Sequence, residues 1–165
     1  MLDDIRSILK RMRPRDAQEM AEHGIGLDIA AAGFASPAVA ARIFRHRHLP
    51  TAILTFHQLT PKALVVSMVA TDDWRHVARA AVRWGLREAR PALLARGFAR
   101  AECRTMAGHE DAIELLERVG FVLECRLPGF GAHGASFLQY AWRLTDHVLL
   151  QSAQSAAAAP AAADA

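Results

Sequence analysis

Two neighbouring stretches decide the fold: Thr51-Ala-Ile-Leu-Thr-Phe-His57 and Ala63-Leu-Val-Val-Ser-Met-Val-Ala70, the second running through Thr71-Asp-Asp into Trp74. Both are nearly continuous in apolar and β-branched residues, the pattern of strands buried on both faces. Leu59-Thr-Pro-Lys62 supplies the turn between them. From Asp73 the period changes. Trp74, Val77, Ala78, Ala81 and Val82 share one helical face, and Arg75, Arg79, Arg83 and Arg87 share the other. Pro91 is expected to kink or restart this helix and Gly97 to end it. Buried strands feeding a long amphipathic helix exclude an all-helical chain.

Downstream, Phe98 to Thr105 alternates Ala99, Ala101, Cys103 and Thr105 with Arg100, Glu102 and Arg104, which predicts a half-exposed strand. A helix is predicted from Glu110 to Val119, stopped by Gly120. Val122 to Leu127 and Phe137 to Leu144 read as strands joined by the glycine-rich loop 128–136. Upstream, Leu2, Ile5, Ile8, Leu9 and Met12 fit a helical stripe, although Ser7 to Met12 also fits an edge strand. Pro14-Arg15-Asp16 opens a helix whose dipole is favoured by Asp16 and Glu19, and His23-Gly24 closes it. Ser36-Pro37 is a second start signal, with Val39, Ala40, Ile43 and Phe44 on one helical face. The order of elements predicts an α/β (α+β) chain, a sheet covered by helices.

The chain has 165 residues, 52% hydrophobic and 22% charged, which suits one domain over residues 1–144. Residues 145–165 are alanine-rich without large apolar side chains, so a disordered tail is expected. The longest apolar run, Ala63 to Ala70, falls well short of the roughly 20 residues of a membrane-spanning helix. Met1-Leu2-Asp3-Asp4 does not read as a secretory leader, so none is expected, and the expected location is cytoplasmic, with no membrane partner. Net charge is +3, carried by scattered arginines that are densest at Arg42, Arg45 and Arg47 and at Arg96, Arg100 and Arg104. Aromatics total only 7%, which argues against a nucleic-acid partner. No metal site is expected either, because His-x-x-x-His and Cys-x-x-Cys spacings are missing.

The stretch Ala112-Ile-Glu-Leu115-Leu116-Glu-Arg-Val-Gly120-Phe121, followed by a hairpin, resembles the C-terminal half of GNAT (Gcn5-related N-acetyltransferase) proteins, which commonly carry Asn-x-x-Ala-x-x-Leu-Tyr-x-x-x-Gly-Phe there. Ala112, Leu115, Gly120 and Phe121 match. Ala70-Thr71-Asp72-Asp73-Trp74, Gly108-His109 and Gly129-Phe130-Gly131 look like a phage and prophage-associated branch that includes internal virion proteins of short-tailed phages. The resemblance, over roughly residues 6–144, implies a GNAT-like three-layer sandwich with a mixed, mostly antiparallel central sheet. It also implies transfer of an acetyl group from acetyl-CoA to a small-molecule or protein amine. Ala63 to Ala70 and Phe98 to Thr105 would be the two strands that splay around the cofactor arm. Val69, Ala70, Thr71, Asp72, Arg75 and Arg79 are then the candidate cofactor-binding residues. A phage-borne member would sit in the virion among other virion proteins.

Two departures qualify the implied activity. The family's phosphate loop, Arg/Gln-x-x-Gly-x-Gly/Ala, lets backbone N–H groups curl round a diphosphate, whereas Thr71-Asp72-Asp73-Trp74 has no glycine and two carboxylates. Asp72 or Asp73 also suits an ordinary helix N-cap. The tyrosine that protonates the leaving thiolate falls on Leu116, and the asparagine position falls on His109. His57, Glu102 and His109 are the catalytic candidates. Against these roles, His57 suits a hydrogen-bonded structural histidine, Glu102 an ion-pair row with Arg100 and Arg104, and His109 a cap or a solvated side chain. The alternative to an enzyme is a non-catalytic GNAT-fold phage or prophage assembly protein. Phe130 or His133 in the glycine-rich loop could touch substrate, against the plainer reading of an ordinary hairpin connection. The strand order that the resemblance implies puts the last strand between those of Cys103 and Cys125, too far apart to bridge, and both suit small core positions.

Overall fold

The computed structural model describes residues 1–143. The expected tail, and Leu144, the expected end of the last strand, lie outside the described residues. Three helices open the chain: α1 (Leu2–Lys10), α2 (Pro14–Glu22) and α3 (Leu27–Ala35). Strands β1 (Ala40–His46), β2 (Leu49–Thr60) and β3 (Ala63–Ala70) follow. Helix α4 (Trp74–Trp84) passes through a π-helical turn, Gly85–Ala89, into α5 (Arg90–Ala95). Strand β4 (Arg100–Met106), helix α6 (Glu110–Arg118), β5 (Val122–Leu127) and β6 (Phe137–Arg143) complete the order.

The strands form one six-stranded sheet in the order β1-β2-β3-β4-β6-β5, antiparallel except for β3 against β4. Alternation along β2 and β3 builds two cores. Ala52, Phe56, Leu64 and Ala70 face α4 and α5, where they meet Trp74, Val77, Trp84 and Leu93. Ile53 and Val69 face the opposite way and pack on Ile5, Ile8, Leu9, Ala30 and Ala31 of α1 and α3. The sheet is therefore the middle of three layers. Each fully buried aliphatic side chain, such as Ile53, contributes about 1.5–3 kcal/mol.

The segment after Ser36-Pro37 is not a helix: residues 40–46 are β1, paired with β2 from Ala40↔Phe56 to His46↔Leu49. Its spacing of Val39, Ala40, Ile43 and Phe44 suits a helix locally, but pairing with the long β2 decides the outcome. The helix lies earlier, at α3. Opening residues 2–10 take the helical alternative, and only Met12 keeps a strand-like contact, a bridge to Thr71. Pro91 restarts the long helix, as its sequence position implies: it stands in the first turn of α5. Arg90 donates its N–H to the Gly85 carbonyl, an i−5 bond that slips the register just before the residue that lacks an N–H. Gly97, at φ +87, stops the run in a conformation that only glycine adopts without strain.

Cys103 on β4 and Cys125 on β5 are separated by β6, and both are free. Cys103 is buried, but Cys125 is exposed on the edge strand and is not a core residue. The glycine-rich loop is tied to the end of α2: Ala132 N–H donates to the Glu22 carbonyl, and His133 and Ala135 N–H donate to Glu22 Oε2. Phe130 packs edge-on against Phe137 and His23. Among the described residues no helix is long and apolar enough to cross a membrane.

Candidate functional site

The β3–β4 pairing covers only Ala63↔Arg100, Leu64↔Ala101 and Val65↔Glu102. Beyond that the strands part, although β3 runs on to Ala70 and β4 to Met106. Thr71 N–H donates to Thr51 O across to β2, so by the antiparallel alternation Val66, Met68 and Ala70 turn their N–H and C=O groups towards the gap. The same argument from Ala107 N–H donating to Ser136 O turns Arg104 and Met106 of β4 into it. A cavity of about 570 Å³ runs through the gap, lined from the α3 face by Met20, Ile29 and Phe34 and from the α4 and α6 face by Val82, Leu86 and Leu116.

Helix α2 closes the wide end of the gap. Pro14 at its first turn and Arg13 just before it place Asp16 and Glu19 on one helical face. Asp16 Oδ2 accepts the Ala70 N–H of β3 at 2.7 Å, and Arg13 N–H donates to Ala70 O at 2.9 Å. Glu19 Oε2 accepts the Met106 N–H of β4 at 2.9 Å and the Thr105 hydroxyl at 2.8 Å. Two carboxylates on one helix thus satisfy one backbone donor on each lip.

His109, at the N-cap of α6 and only 4% exposed, lies between them. Its Nδ1 is 2.9 Å from Glu19 Oε2, and its Nε2 is 3.3 Å from Asp16 Oδ1 without the alignment of a hydrogen bond. Burial pushes the Glu19 carboxyl up, but His109, the Met106 N–H and the Thr105 hydroxyl outweigh it and hold it below the ordinary carboxylate value. Ionised Glu19 is a pure acceptor, so Nδ1 carries the hydrogen and Nε2 is left without a partner. All three donors converge on Oε2; no described group donates to Glu19 Oε1. Burial pushes Asp16 above its ordinary value, only partly opposed by Arg13, whose guanidinium reaches Asp16 Oδ1 at 2.7 Å, by the Ala70 N–H and by His109.

The structure brings three sequence candidates together here: His109, Val69, which lines the cavity, and Ala70, whose backbone is held by α2. His57 also lines the cavity, but it sits inside β2 opposite Val65, at the closed end of the gap. Glu102 lies on the outer sheet face, where Arg100 bonds it at 2.8 Å and Glu124 at 2.5 Å. Arg104 leaves that row and donates to Gln139. Thr71 is buried, whereas Asp72, Arg75 and Arg79 are exposed outside the cavity. Asp73 takes the N-cap position of α4 without a side-chain cap bond. His109 is neither a side-chain cap nor solvated, and it points inward. Cys103 lines the cavity too, but burial, with Glu19 and Glu102 nearby, pushes its thiol up to about 12, which makes it a poor nucleophile. Asp16 and Glu19 were visible in the sequence only as acidic residues at a helix start.

The fold that carries this gap is similar to that of solved acetyltransferases. Ard1 from Thermoplasma volcanium superposes with a TM-score of 0.66 at 10% identity, covering 87% of this chain and 93% of that one. Aminoglycoside 6'-acetyltransferase type Ii gives 0.64 at 16% identity, covering 87% and 89%. YncA from Salmonella typhimurium, solved with its cofactor acetyl-CoA, gives 0.57 at 14% identity, covering 84% and 80%. No protein-family model and no curated protein matches the chain. The chain has the fold of GNAT acetyltransferases, and at these identities the likeness is one of fold.

Proposed function

We propose that the chain is an N-acyltransferase that takes an acyl thioester, acetyl-CoA in the simplest case, and passes the acyl group to a primary amine. The observation that supports this reading best is the open gap, whose lips offer unpaired backbone groups beside a His–carboxylate cluster. The residues of the gap fit the arm of such a cofactor: Val66 and Met68 turn backbone groups into an apolar cavity. The diphosphate end fits less well, since no glycine lies between Ala70 and Trp74 and the exposed cations that follow that turn in sequence are Arg75 and Arg79 on α4. The bound cofactor supplies the activated acyl group. The chain's own residues do the rest. Glu19, held ionised, is a weak base and holds the positive charge of the amine at Oε1. His109 Nε2, the ring nitrogen left without a hydrogen-bond partner, is the base assigned to the amine's proton. Met68 N–H orients the acyl oxygen from the β3 lip. With Leu116 where the family has tyrosine, the thiolate leaves without that proton donor.

The test is thiol release from acetyl-CoA in the presence of primary amines. Acetylated amine should form, and His109→Gln should lower kcat by about 10²-fold or more while acetyl-CoA still binds. Absence of acetylation with every amine tried would overturn the reading. A second reading, a non-catalytic GNAT-fold assembly protein of phage or prophage type, is favoured by Asp72 and Asp73 at the diphosphate turn and by Leu116; it predicts no acetyl-CoA binding.

A further inference from the structure

The α3 side of the cavity has a chemistry of its own. Its wall is Met20, Ile25, Ile29 and Phe34, and its floor is Asp16 and Glu19. Ile25 is 41% and Ile29 68% exposed, so the wall continues into an uncovered apolar lip. Exposed apolar surface leading into a cavity is the usual mark of a ligand groove.

Glu19 Oε1 has no partner among the described residues, and the cations near it have contacts of their own. Arg13 is paired with Asp16 and with Asp111 at 3.5 Å. Arg104 donates to Gln139 and lies over the Phe130 ring. Burial pushes His23 below its ordinary value, Arg104 adds to this and Glu19 opposes it, so His23 is no standing cation at neutral pH. An ammonium finds an unpaired anion here, whereas a ligand carboxylate would lie against that same anion.

We propose that this lobe binds a primary amine carried on an apolar alkyl or arylalkyl body with no carboxylate of its own. The ammonium sits on Glu19 Oε1 and the body lies along Ile25, Ile29 and Phe34. The proposal names the acceptor class for the transferase reading above and rests on it only for the fate of the amine, because binding follows from the lobe itself.

Calorimetry on the full chain without any acyl donor tests the site with five probes: hexylamine, 2-phenylethylamine, phenylalanine, spermidine and hexanol. Hexylamine and 2-phenylethylamine should bind at least about tenfold more tightly than the other three, which add a carboxylate, lack an apolar body or lack the charge. Ile29→Asp, at an exposed position that folding does not need, should weaken phenylethylamine about tenfold or more through lost apolar contact, and Glu19→Gln should weaken both amines. Equal binding of spermidine or phenylalanine, no binding of hexylamine, or an unchanged affinity in Ile29→Asp would overturn the proposal. Adding acetyl-CoA separates the two readings. Bound but unacetylated phenylethylamine would sink the transferase and leave the site, while acetylation of spermidine alone would leave the transferase and sink the site.

Discussion

Asp16 and Glu19, three residues apart on α2, each accept a backbone N–H from opposite lips of the β3–β4 gap, Asp16 from Ala70 and Glu19 from Met106. One helical turn thereby stands where ladder hydrogen bonds would otherwise close the sheet. The gap stays open without orphaned donors at its wide end, a requirement that burial imposes. Because the same turn brings Arg13 and His109 together, the fold's integrity and the proposed chemistry depend on the same residues.

The first prediction concerns that shared dependence. Glu19→Ala leaves the Met106 N–H, the Thr105 hydroxyl and His109 Nδ1 without their acceptor, so stability should fall by about 2–4 kcal/mol. Urea unfolding followed by circular dichroism measures it. A loss below about 0.5 kcal/mol would mean that solvent replaces the clamp at no cost.

The two carboxylates should also respond to pH in opposite senses. Glu19 is held below its ordinary value of 4.5, so its contribution is present above that value and disappears as pH falls through the folded-state value. Asp16 is raised above its ordinary 3.8, so its contribution is present below that value and is lost as pH rises through the raised one. Relative to wild type, Glu19→Gln should lose ground as pH rises from about 3 to about 7, and Asp16→Asn should gain it. Parallel slopes for the two variants would contradict the assignment.

Much of this was legible beforehand. Ala63–Ala70 and Val122–Leu127 stand where their apolar runs and turns place them, because each carries its strand pattern locally. The β1 segment does not: Val39 to Phe44 suits either element, and its pairing with β2 decides. The clamp was out of reach for another reason. Asp16 and Glu19 have the ordinary chemistry of a helix start, and the donors that bury them lie 54 and 87 residues away. His109 stood out by its place at a helix start, but its direction depends on the same distant partners.

Thiol chemistry offers a check on the sheet order. With its thiol pushed up to about 12 by burial, Cys103 should resist alkylation at about pH 8, whereas Cys125 is exposed and should react quickly. Mass spectrometry should find one modified cysteine per chain, in the peptide that contains Cys125. Rapid modification of Cys103 would place it outside the core.

The loop tether gives a fourth prediction. A Cβ on Gly131 would run into the Glu22 carboxylate and crowd Ala135. Gly131→Ala should therefore displace the Glu22 side chain and cost about 1–2 kcal/mol. The amides of His133 and Ala135 should exchange faster than in wild type. Unchanged exchange at both would show that Glu22 does not hold the loop.

The central claim is that the open gap holds an acyl-thioester arm, and thermal unfolding with two ligands tests it most directly. Acetyl-CoA and acetyl-pantetheine share the arm and differ in the nucleotide diphosphate. At about 100 times the dissociation constant a ligand stabilises the native state by about 2.7 kcal/mol, which raises Tm by roughly 5–10 °C in a domain of this size. Dose-dependent shifts with both ligands, abolished when Met68→Pro removes the lip's N–H, are the predicted result. No shift with either ligand at millimolar concentration would contradict the account.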